Sequence, residues 1–81
     1  MAPKLFLAYL GGKLPDQRIG EDHETVAVVA ETWEEAKQKA KRKWRGSGAA
    51  HLDMLIELDV VDGHKIVLEK ILTFVFLVRP F

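Results

Sequence analysis

Few side chains in this 81-residue chain are equipped for chemistry: three histidines (His23, His51 and His64), one serine (Ser47), twelve carboxylates and no cysteine. His51-x-Asp53 sets an imidazole and a carboxylate on one side of a strand, opposite the apolar residues between and after them, and His23 is flanked by Asp22 and Glu24. A metal-dependent or acid–base site around His51, Asp53 and His23 is therefore one reading. Zinc takes three or four ligands at diagnostic spacings, and His-x-Asp is not one of them. The plainer reading gives these histidines structural roles, bonding to nearby loop groups, with no cofactor. Ser47 lies in Gly46-Ser47-Gly48, which reads as the end of a helix, since a serine nucleophile needs a histidine base and an oxyanion hole. Gly11-Gly12-Lys13 lacks the Gly-x-x-x-x-Gly-Lys-Ser/Thr spacing of a phosphate loop and reads as a strand stop. These resources predict a module without catalytic activity.

The second candidate surface is basic. Lys37, Lys39, Lys41, Arg42, Lys43 and Arg45 put six cations within nine residues, and Lys37, Lys41, Arg42 and Arg45, with Lys13 and Arg18 nearby, are candidates for phosphate contacts in a nucleic-acid-binding reading. On a helix the six spread over roughly 240° and form no single stripe. Glu31, Glu34 and Glu35 precede them, so Glu34–Lys37 and Glu35–Lys39 pairs on a solvated face are the plainer account. The whole chain balances twelve cations against twelve anions, which argues against generic capture of nucleic acid or an acidic membrane.

The elements that must position these groups follow from patterning. The apolar run at residues 5–10 predicts a strand, residues 13–24 a polar loop with Pro15 and Gly20, and the β-branched run at residues 25–30 a second strand. Thr32-x-x-Glu35 is a capping box, and a helix is predicted over residues 33–45. Its apolar positions, Trp33, Ala36, Ala40 and Trp44, form a narrow face in which two alanines allow close approach and two indoles fill the space at the ends. Gly46 is expected in the left-handed conformation at the helix end. The third strand alternates, with Leu52, Met54, Ile56, Leu58 and Val60 on its core face, and Asp62-Gly63 then predicts a hairpin. A three-residue turn, residues 61–63, would pair Leu58 with Ile66 and Ile56 with Leu68 and run the return strand over residues 65–70. The fold expected is α+β, β-β-α-β-β plus a C-terminal strand, with one helix packed on a mainly antiparallel sheet.

Residues 71–78 complicate that fold, because both faces of such a strand are apolar. Leu72, Phe74, Phe76 and Val78 lie on one side, and Ile71, Val75 and Leu77 on the other. One helix covers one face of a sheet, so a second copy of the chain is the economical cover for the rest. The domain division expected is residues 1–70 for a single α+β domain and 71–81 for an apolar strand at a subunit interface. Ile71, Phe74, Val75, Phe76 and Leu77 are the self-association candidates, and the partner expected is a homodimer mate, with no membrane. Neither apolar run reaches the length of a spanning helix, and a cytoplasmic location is the expectation.

Leu5-Phe6-x-x-Tyr9-Leu10-Gly11-Gly12, then Asp22-His23-Glu24 before Val28-Val29, then Trp44-x-Gly46, His51-x-Asp53 and Val61-Asp62-Gly63, resemble in order and spacing the small bacterial domain-of-unknown-function family 1543. The resemblance covers about residues 5–69 and implies no activity; such chains carry one or two copies of the domain. Met54 and Leu55 stand here where that pattern places an aromatic after His-x-Asp, and there is no second copy. Residues 72–77 can be laid over residues 5–10, where the next copy would begin. This implies a homodimer that rebuilds what tandem copies achieve in one chain.

Overall fold

The computed structural model of the protein describes residues 2–14 and 20–72. β1 (Lys4–Lys13) and β2 (Glu21–Ala30) pair antiparallel from Lys4↔Ala30 to Lys13↔Glu21. The helix α1 (Trp33–Arg42) follows, and β3 (Ser47–Leu58) returns to pair antiparallel with β1. The sheet order is β2-β1-β3, and a small hairpin of β4 (Val60–Val61) and β5 (His64–Lys65) completes the described chain. The fold is thus α+β, with one helix on an antiparallel sheet, as the patterning predicts.

Helix α1 begins as its capping residue dictates. The Thr32 hydroxyl accepts from the Glu35 N–H at 3.1 Å, satisfying one orphan amide of the first turn. Ala36 and Ala40 are fully buried against Phe6, Ala8 and Leu10 of β1 and Val28 and Ala30 of β2. Trp33 meets Phe6 edge-on, with ring centroids 5.0 Å apart and planes at 75°. Full burial of Phe6 and Leu10 stabilises the fold by about 1.5–3 kcal/mol each. The helix ends at Arg42, three residues short of the expectation, and Gly46 does not adopt positive φ. Its requirement is steric: a Cβ on Gly46 would land inside the Trp44 indole, and one on Gly12 would meet that ring at 2.6 Å.

The strands also correct the sequence reading. Gly11-Gly12 does not stop β1, and Asp22-His23-Glu24 is part of β2 rather than of a loop. In β3 the register shifts between Tyr9↔Met54 and Leu10↔Leu52, leaving Asp53 as the extra residue of a bulge. Side chains beyond the bulge change faces. Leu52 and Leu55 pack against the core, while Met54 and Ile56 are 55% and 42% exposed, so the uninterrupted core face expected for Leu52, Met54 and Ile56 is not formed.

The hairpin turn has two residues, Asp62 at φ 51° and Gly63 at φ 77°, with Val60↔Lys65 and Val61↔His64 paired. Positive φ at both central positions matches the twist of the flanking strands and replaces the expected three-residue turn. The return strand stops at Lys65 instead of running to residue 70, and the Leu58–Ile66 and Ile56–Leu68 pairs are absent. The expected C-terminal strand, with Phe74, Val75, Phe76 and Leu77, lies outside the described residues, as does Arg18.

Candidate functional site

Among the described residues, one face of the sheet is covered by α1 and the other is not. On the uncovered face Leu5, Leu7, Tyr9 and Gly11 of β1 lie between their partners on β2 and β3. Tyr9, Val29, Met54 and Ile56 are all exposed there, so more than half of this face is an apolar floor.

Its other end is polar. Gly11 pairs with His23 on one side and His51 on the other, and the bulge at Asp53 adds a carboxylate to the same spot. A Cβ on Gly11 would stand 2.8 Å from His51 Nε2, 2.9 Å from Asp53 Oδ2 and 3.0 Å from His23 Nδ1. Glycine leaves the space that these three groups share. Asp53 Oδ1 lies 3.1 Å from His51 Nε2, and Asp53 Oδ2 lies 3.8 Å from His23 Nδ1. The other nitrogen of His23 faces Glu21 Oε2 at 3.5 Å. Tyr9 stacks on the His23 ring, with centroids 5.2 Å apart and planes 3° from parallel.

The structure therefore brings together His23, His51 and Asp53, the three residues singled out by their chemistry. His64 is elsewhere, its Nδ1 2.9 Å from the Asp62 carbonyl in the hairpin turn. Among the described residues, no group of three or more histidine, aspartate or glutamate side chains is arranged to hold a metal ion. Tyr9, Gly11 and Glu21 complete the cluster and were not selected from the sequence. The signal for them was the glycine pair inside an otherwise apolar strand.

Two lysines of the basic segment, neither among the four phosphate-contact candidates, bond to the sheet. Lys39 Nζ donates to the Val29 carbonyl at 2.7 Å and Lys43 Nζ to the Ala27 carbonyl at 2.6 Å. Both carbonyls belong to β2, an edge strand. Lys39 also pairs with Glu35 at 3.1 Å, and that hydrogen bond holds the Glu35 carboxyl below its ordinary pKa. The backbone N–H of Arg45 donates to the Glu24 carboxylate at 3.2 Å. Of the four phosphate-contact candidates, Lys41, Arg42 and Arg45 are exposed and Lys37 is half-buried. No helix among the described residues is long and apolar enough to cross a membrane.

The family model described as Domain of Unknown Function (DUF1543) matches residues 18–68, more than half of the chain. The chain belongs to the DUF1543 family. The crystal structure of protein Il1583 from Idiomarina loihiensis is similar to it, at 35% sequence identity and a TM-score of 0.69. That match covers 79% of this chain and 44% of the other, so the matched part of this DUF1543 chain spans less than half of that protein. No curated protein matches. The matched interval holds His23, His51, Asp53, Trp44 and Gly46, and stops short of residues 71–81.

Proposed function

We propose that this DUF1543 protein is a non-catalytic interaction module that self-associates, with a second copy covering the sheet face opposite α1. The observation that carries this reading is the bare face itself: Tyr9, Val29, Met54 and Ile56 are 41%, 42%, 55% and 42% exposed on the three-stranded sheet. A sheet in a globular domain packs both faces or presents a polar one, and this face is apolar over most of its length. Ile71, the one self-association candidate among the described residues, is 60% exposed, in keeping with the same need. Further support comes from the similar Il1583 chain, most of which lies beyond the match and has length for a second unit. The test is Met54→Glu, which places a charge on the bare face without touching the core. The variant should stay folded by circular dichroism and sediment as a monomer at concentrations where the parent chain associates. Unchanged association would overturn the reading.

The convergence on Gly11 favours a second reading, in which the polar end of this face is an acid–base site. With the His51 Nε2 proton directed at Asp53, Nδ1 of the same ring is left as the base. Nitrogen-detected spectra of the imidazoles should show His51 held in the Nε2–H tautomer and released in Asp53→Asn. An unbiased tautomer mixture in the parent chain would contradict this reading.

A further inference from the structure

The hydrogen bonds fix which backbone groups the sheet leaves open at its second edge. In a strand, the N–H and C=O of one residue point to the same side, and successive residues alternate. The Ala27 and Val29 carbonyls point outward to Lys43 and Lys39, so Val26 and Val28 serve β1. Ala8 and Phe6, their partners, then point to β2, and Leu7 and Tyr9 point to β3. Ile56 and Met54 receive those bonds, which turns the N–H and C=O of Leu55 and Glu57 outward. The Asp59 carbonyl, next in the alternation, accepts from the Ile66 N–H at 2.7 Å, which confirms the phase. A continuing return strand would carry this ladder to Glu57 and Leu55, but β5 ends at Lys65. Among the described residues, nothing else pairs with β3 on this side.

The chain beyond β5 has the composition of the missing strand. Val67 and Leu72 are 81% and 104% exposed, and the sequence continues Thr73-Phe74-Val75-Phe76-Leu77-Val78, rich in the β-branched and aromatic residues that sheets favour. We propose that the β3 edge accepts, as an added strand, the C-terminal segment of a second copy of this chain, and that the exchange is reciprocal. The inference rests on the self-association reading and names the edge through which it works. Strand addition supplies the main-chain partners that Leu55 and Glu57 lack among the described residues, and alternate side chains of the incoming segment extend the apolar floor beside Met54 and Ile56.

Amide hydrogen exchange on the full chain, read alongside sedimentation, tests this. On passing from the most dilute to the most concentrated sample, the Leu55 and Glu57 amides should slow at least about tenfold as the mass rises toward that of a dimer. Glu57→Pro removes one outward donor and leaves the β1 ladder intact, so it should lower association; if that variant fails to fold, the exchange measurement on the parent chain decides. Association without protection of these two amides would overturn the edge while leaving self-association standing. Protection already complete in the monomer would overturn it in favour of the chain's own tail. A monomer at every concentration would remove both readings.

Discussion

The two edges of the same three-stranded sheet are finished in opposite ways. Along β2, two lysine side chains reach back from α1 and its C-terminal end to the outward carbonyls of Ala27 and Val29, and Glu24 takes the Arg45 amide. A newcomer would have to displace an ammonium group from each of the Ala27 and Val29 carbonyls. β3 is longer, twelve residues against ten, and contains no lysine or proline; its deterrents are the bulge at Asp53 and a second register shift between Gly11↔His51 and Lys13↔Ser47. Sheet proteins use charged side chains, prolines and bulges to stop edges from joining. Here the charged guard stands on one edge, where Lys39 and Lys43 close off β2 carbonyls, and β3 is the edge to which the proposal above assigns joining.

The largest effect is expected where the two edges share a support. Phe6→Ala empties a fully buried site on the central strand and should cost about 3–5 kcal/mol in denaturant unfolding. Exchange protection along β2 and β3 should fall together, and independent melting of either edge would break the comparison. Next comes the Lys39→Ala/Lys43→Ala pair, which strips the guard from β2. Each lost bond should cost about 0.5–1.5 kcal/mol, toward the lower end because both ammonium groups are solvent-accessible, and the unguarded edge should drive association beyond a dimer in light scattering. An unchanged association state would show that the lysines do not set the difference between the edges.

The smallest effect is electrostatic and belongs to the guard itself. Lys39 holds the Glu35 carboxyl below its ordinary pKa through their hydrogen bond. A carboxyl depressed in the folded state contributes stability above its unfolded pKa and loses that contribution as pH falls through the folded one. Thermal unfolding should therefore separate Glu35→Gln from the parent chain slightly near neutral pH and bring the two together in acid. A gap that widened on acidification would contradict the pairing.

What could be read from residues alone was local. Thr32 and the Ala36–Ala40 spacing announce the helix and its buried face, and Asp62-Gly63 announces a turn, because each signal is carried by neighbours along the chain. The bulge at Asp53 left no trace in an alternation that looks unbroken, and it reverses which of Met54 and Leu55 is buried. Gly11, Gly12 and Gly46 read as breakers, whereas Gly11 is required by the His23–His51–Asp53 group, Gly12 by the Trp44 indole brought from beyond α1, and Gly46 by that same indole two residues before it. The histidine cluster was half legible. His51-x-Asp53 share a strand and could be paired by spacing, while His23 arrives from β2 through pairing with Gly11, which only the register reveals.

The central claim is that this chain completes its sheet by joining a second copy. Sedimentation equilibrium of the unmodified protein over a wide concentration range addresses it most directly. The mass should climb from the 9.2 kDa of one chain toward twice that value as concentration rises. A mass that stays at the single-chain value throughout would contradict the account.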